Sequence, residues 1–111
     1  MRSDAERLAD ILDAAAKIAP KVADGRAGFD KDEYVQLALV HLVQIIGEAA
    51  ARLSNDVIAA QPEIPWRQVV GMRNRVVHGY FDVDPETLWV AVSVDVPRLA
   101  EQIRRLASSA E

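Results

Sequence analysis

The eight residues from Arg73 to Tyr80 read RNRVVHGY and bring together two guanidinium groups, an amide, an imidazole and a phenol with no carboxylate among them. Histidine is the side-chain type that exchanges a proton near neutral pH, arginine is a permanent planar cation suited to phosphate, and amide and phenol donate hydrogen bonds. The reaction that fits such a set is cleavage of an RNA backbone without a metal. His78 would act as general acid or base on the 2′-hydroxyl or the leaving oxygen, and Arg73 would stabilise the extra negative charge on phosphorus. One histidine fills only one of the two proton-transfer roles. A two-fold symmetric dimer bringing two copies of His78 and Arg73 to one cleft would fill both. At helical spacing Asn74 shares the face of His78, whereas Arg73 diverges from it by about 140° and would have to bend back. The ordinary reading of the same residues is a histidine serving as dipole partner at a helix C-terminus and arginines on a solvated face.

The surroundings sharpen the case. The chain is acidic, with 17 Asp and Glu against 13 Lys and Arg and a formal net charge of -4, so it should not attract nucleic acid indiscriminately. Yet Ile64 to Phe81 contains no Asp or Glu while holding Arg67, Arg73 and Arg75, a positive island in which Arg67 and Arg75 are candidate RNA contacts. The other histidine, His41, is followed by Gln44 and Glu48 at steps of three and four. That stripe either lines the same cleft or forms an internal polar network. The two histidines lack HExxH or comparable spacing, so no metal is expected, and no Gly-rich phosphate loop or Ser-centred elbow implies a cofactor.

These residues must be positioned by a chain of 111 residues, half of them hydrophobic, which suits one folded domain over residues 1–111. Without cysteine there is neither a disulfide framework nor a thiolate metal site. The N-terminus carries acids where a leader would be apolar, and no uninterrupted apolar run approaches a membrane span, so the expectation is a soluble, cytoplasmic protein.

Periodicity predicts an antiparallel up-and-down helical bundle, all-α in class. Ser3 and Glu6 have capping-box spacing before a first helix expected to end near Ala19, ahead of Pro20, with a loop from Pro20 to Gly28. Asp30 and Glu33 repeat the spacing before a second helix from about Lys31 to Leu53. One side of it carries Tyr34, Leu37, Ala38, Ile45, Ala49 and Leu53, another Val35, Leu39, Leu42, Val43, Ile46 and Ala50. A helix apolar around most of its girth needs cover on most of it, and a second copy of the chain is the expected source of part of that cover. Ser54, Asn55 or Asp56 caps a short helix through Ala60, and the QPEIPW segment is a rigid connection. Pro65 then opens a helix from about Trp66 to His78, terminated by Gly79. Asp84 and Pro85 start a last helix whose seam of Leu88, Val92, Val96, Leu99, Ile103 and Leu106 keeps phase through Pro97, which implies a kink without a large change of direction. LWVAVSVDV is the one segment that also fits a strand. Trp66 and Trp89 are expected core or interface anchors.

Over nearly its full length the chain resembles the HepT-like toxins of the HEPN superfamily. The likeness is carried by R-x4-H-x-Y, here Arg73, His78 and Tyr80 with Asn74 after the arginine, and by IGEA, PEIPW, GMRN and the trailing VD and LW in the same order. The resemblance implies a dimerising helical bundle with a metal-independent endoribonuclease site at the dimer cleft, acting as the toxin of a type VII-like toxin-antitoxin pair. It also implies an MNT-type minimal nucleotidyltransferase as antitoxin, transferring AMP to Tyr80. Phosphate placed beside Arg73 would occupy the cation meant for RNA. Two departures stand out: His41 lies where relatives often have an arginine or other polar residue, and Gly79 loosens the backbone between His78 and Tyr80. The alternative functions are a non-catalytic nucleotide- or protein-binding partner of such a nucleotidyltransferase, and a plain dimeric scaffold in which Arg73 is structural.

Overall fold

The computed structural model describes residues 2–79 and 82–109, with side chains described as far as residue 106. Its first helix, α1 (Asp4–Ala23), opens on the expected capping box: Glu6 N–H donates to Ser3 Oγ and Ser3 N–H to Glu6 Oε1, both at 3.1 Å. The helix does not stop before Pro20 but runs one turn past it. The proline removes a donor that would face the carbonyl of Ala16, an exposed position where water can satisfy the oxygen instead. The expected loop accordingly shrinks, and a short helix α2 (Arg26–Lys31) buries Phe29 within it.

The second long helix, α3 (Glu33–Ala51), is capped by Asp32, whose carboxylate accepts from Val35 N–H at 3.1 Å. Asp30 is not the cap, because Arg26 Nε holds it at 2.8 Å. α1 and α3 form the principal packed pair. Their shared core takes Ile11, Ala14 and Ile18 from α1 and Leu39, Val43, Ile46 and Ala50 from α3. Truncating a fully buried member such as Ile46 to alanine costs about 2–5 kcal/mol. By length and hydropathy α3, 19 residues long with an 18-residue window of mean hydropathy 1.4, would pass as a membrane span, contrary to the expectation from apolar runs alone. Its inner face is a packed core face, and Glu33, His41, Gln44 and Glu48 stand exposed along the rest.

Ser54 caps α4 (Asn55–Ala60) and is tied to the start of α1, since Asp4 accepts from Ser54 N–H at 2.9 Å and from its hydroxyl at 2.7 Å. Beyond it the helix expected to run to His78 is broken. α5 (Trp66–Val70) and α6 (Met72–Val76) are separated by Gly71, and the chain then turns extended. Val77–His78 forms β1 and pairs antiparallel with β2 (Asp82–Val83), a ribbon in which His78 stands opposite Asp82. β-branched Val76, Val77 and Val83 favour that extended pairing over another helical turn. Gly79, at φ 70°, starts the connection between the strands rather than ending a helix.

Asp84 caps α7 (Pro85–Val90), which continues through a π turn at Ala91–Asp95 into α8 (Val96–Ser109). LWVAVSVDV is therefore helical. The π turn sits directly before Pro97, with Val96 N–H reaching back to the carbonyl of Ala91, so the missing proline donor is absorbed by one wide turn. The seam stays in register, and Leu88, Val92, Val96, Leu99 and Ile103 are all buried. Apart from the two-residue strands, the fold is all-α.

Candidate functional site

The site starts from one close approach. Gly47 of α3 lies under α5 so tightly that a Cβ there would stand 3.1 Å from the carbonyl oxygen of Val70 and 3.4 Å from that of Val69. This contact brings the backbone of α5 onto α3 and carries α6 alongside. Between them runs an open groove of about 310 Å³ lined by Gln44, Gly47, Glu48 and Ala51 from α3, Val70 from α5, and Arg73 and Asn74 from α6. Among the described residues neither Arg73 nor Asn74 has a side-chain hydrogen-bond or ion-pair partner. Gln44 Nε2 donates to Glu48 Oε1 at 3.1 Å, so the groove joins an unpaired guanidinium to an amide–carboxylate pair.

Two of the three residues in the polar stripe of α3 thus belong to the groove, and His41, exposed one turn earlier, does not line it. Arg75 goes elsewhere. Its Nη1 donates to the carbonyl of Gln68 at 2.9 Å, spanning the break at Gly71, and it lines a different pocket with Asp95 and Arg98. Arg67 is exposed on α5 and lines neither.

His78 is exposed on β1, past the end of α6. It does not share a helical face with Asn74, because the helix has ended by Val76. Nor is it among the residues lining the Arg73 groove within one protomer. Its neighbours across the ribbon are acidic: Asp82 is directly opposite, and Asp84 follows, with its N–H donating to the carbonyl of Val76 at 2.8 Å. The stretch that is free of carboxylates in sequence therefore has two beside it in space. The carboxyl of Asp84 is held below the usual range first by the Thr87 N–H and then by the Thr87 hydroxyl, with the Glu86 N–H and the charge of His78 acting in the same direction. Tyr80 lies outside the described residues.

The apolar flank of α3 remains uncovered in the half nearest its N-terminus. Tyr34 is 85% exposed and Leu37 40%, and Val70, at 41%, continues the apolar surface at the groove. Toward the other end of α3, Ala49 is buried, as is Leu53 just beyond the helix. Among the described residues no cluster of His, Cys, Asp or Glu has the makings of a metal site.

A family model described as Ribonuclease HepT-like matches residues 11–106. The chain belongs to that family. A "Probable ribonuclease HepT" of Thermococcus cleftensis is 40% identical to it over 75 residues, 68% of each chain. "Putative RNase MJ1380" of Methanocaldococcus jannaschii is 33% identical over 97 residues, 86% of this chain and 89% of that one. "Putative RNase TTE0752" of Caldanaerobacter subterraneus is 31% identical over 78 residues, 70% of each. No solved structure matches.

In this HepT-like chain the segment around the motif is braced by a cluster that sequence reasoning did not single out. Arg26 of α2 pairs with Asp30 and with Glu86 of α7, and its guanidinium lies 5.8 Å from the ring of Phe29 and 5.7 Å from that of Trp89. The Phe29 and Trp89 rings are themselves 5.1 Å apart and tilted. The hydrogen bond Arg26 donates to Glu86, then that to Asp30, raises its already high pKa. α2 is thereby fastened to the start of α7, immediately after the ribbon that carries His78. The spacing of Arg26 and Asp30 signals their helical pair; the partner sixty residues on has no local signal.

Proposed function

We propose that this HepT-like chain is a metal-independent endoribonuclease acting as the toxin of a type VII-like toxin-antitoxin pair. The observation that carries this reading is the groove holding Arg73 and Asn74 without protein partners, in a chain of the ribonuclease HepT-like family. A guanidinium that spends none of its donors on a side chain or carbonyl among the described residues is available to a phosphodiester.

The reaction has the 2′-oxygen attacking phosphorus while the bond to the 5′-oxygen breaks. One imidazole takes the 2′-hydroxyl proton, another gives a proton to the leaving 5′-oxygen, and Arg73 stabilises the charge gathered on the phosphoryl oxygens. One protomer supplies a single His78, and that residue does not line the groove of its own Arg73. Two copies joined through the Tyr34 and Leu37 flank of α3 would contribute both imidazoles and both guanidinium groups to one cleft, which supports a homodimer as the active form. Neutralisation would follow from AMP transfer to Tyr80 by an MNT-type nucleotidyltransferase, placing a phosphate where RNA must bind.

Purified protein should cleave RNA with a chelator present, and His78→Ala should remove that activity while leaving the fold intact. Cleavage by the variant at the parent's rate would end this reading.

A further inference from the structure

The ribbon that ends the motif carries a feature that catalysis at Arg73 and His78 does not by itself require. In the antiparallel register His78 faces Asp82, and the next position on the second strand side is Asp84. Side chains alternate between the two faces of a strand, so His78, Asp82 and Asp84 belong to one face, with Asp84 the diagonal neighbour of His78. Diagonal neighbours lie roughly 7–8 Å apart between Cα atoms, close enough for a charge to act.

The two carboxylates differ in how firmly they are held. Asp82 is exposed and has no partner among the described residues. Asp84 is half-buried and fixed at both oxygens, one accepting from Thr87 N–H at 3.1 Å and the other from Thr87 Oγ1 at 2.8 Å. A fixed, partly shielded charge acts more strongly than a mobile one that water screens. The other charged groups on the adjoining elements are otherwise engaged or directed: Glu86 of α7 pairs with Arg26, Arg75 of α6 donates to Gln68, and Arg73 of α6 lines the groove with Asn74.

Resting on the ribonuclease reading above, we propose that Asp84 is the positioning residue for His78: its clamped carboxylate stabilises the imidazolium and so sets the pH range in which His78 can give a proton to the leaving 5′-oxygen. The same carboxylate caps α7, so the start of that helix and the proton-transfer group are fixed by one side chain. Among the causes that lower the titration of Asp84, the charge of His78 is the smallest, after the Thr87 N–H, the Thr87 hydroxyl and the Glu86 N–H.

Asp84→Asn separates the two duties, because asparagine caps a helix as well as aspartate does but carries no charge. The pH profile of RNA cleavage by the full chain should move as a whole to lower pH in Asp84→Asn, by about half a unit, with a smaller move in Asp82→Asn. An unchanged profile in Asp84→Asn, or a larger move in Asp82→Asn, overturns the proposal. A second measurement needs no RNA. The carboxyl carbon of Asp84, followed by NMR, should titrate at higher pH in His78→Gln than in the parent, because coupling between two groups is reciprocal. Identical titration in both proteins overturns the proposal even if RNA is cut. Should the parent cut no RNA at any pH, the ribonuclease reading falls, and the carboxyl titration still decides whether Asp84 and His78 act on each other.

Discussion

Arg73 and Arg75 are two residues apart on α6, yet they face different tasks. Arg75 spends one nitrogen on the carbonyl of Gln68 and thereby braces the break at Gly71, on the side of the segment that looks toward Asp95 and Arg98. Arg73, on the other side, meets Asn74, Gln44 and Glu48 in an open groove and has no partner of its own among the described residues. A guanidinium already bonded within the protein braces the fold, whereas one without a partner among the described residues is free to meet a ligand. Composition treats both arginines alike; only the partner count of each guanidinium separates them.

The contrast can be broken by substitution. Arg73→Ala should lower the rate of RNA cleavage by about two to three powers of ten, the usual cost of losing a transition-state charge stabiliser, with little change in melting temperature. Arg75→Ala should do the reverse, costing about 1 kcal/mol of stability through a lost hydrogen bond to the backbone and leaving the rate of the folded fraction close to the parent's. Similar rate losses in both variants would erase the distinction.

Gly47→Val places a branched side chain against the Val70 carbonyl, so α5 must move off α3; stability should fall by about 1–3 kcal/mol and the Arg73 groove should lose its shape. Thermal unfolding and RNA cleavage measured together would show both. On the open half of α3, Tyr34→Glu combined with Leu37→Glu should leave the melting temperature nearly unchanged and shift the sedimentation profile toward single chains. A dimer that survives both charges would move the interface elsewhere.

The smallest effect concerns acid. Asp4 is held below the usual carboxylate range first by the Ser54 hydroxyl and then by the Ser54 N–H. A carboxyl with a lowered folded-state pKa contributes stability above its unfolded value, near 4, and loses it as pH falls through the folded value. Asp4→Asn should therefore weaken the protein at pH 6 and match the parent more closely at pH 3, in urea titrations at the two pH values.

Much of the frame was legible in the sequence because its signals are local. The Ser3–Glu6 box, the Ser54 cap, the Asp84 cap before Pro85 and the Leu88 to Ile103 seam all rest on residues three or four apart. The failures share one physical source, competition from partners that capping and helical spacing leave out of account. Asp30 and Glu33 have capping spacing, but Arg26 takes Asp30 and leaves the cap to Asp32. The helix through Arg73 has the right period to reach His78, but the pairing of Val77 with Val83 ends it early and moves His78 off the helix onto a ribbon edged with acids. Helical phase between Arg73, Asn74 and His78 was thus the wrong ruler for their geometry, although the residue motif pointed to the ribonuclease HepT-like family to which the chain belongs.

The proposed site requires two copies of the chain around one phosphodiester. The most direct test is the rate of RNA cleavage per chain, measured in EDTA across a range of protein concentrations that spans dissociation of the dimer. The account predicts a rate per chain that rises with the dimer fraction and vanishes for the folded single chain. A folded single chain that cuts RNA as fast as the concentrated protein would contradict it.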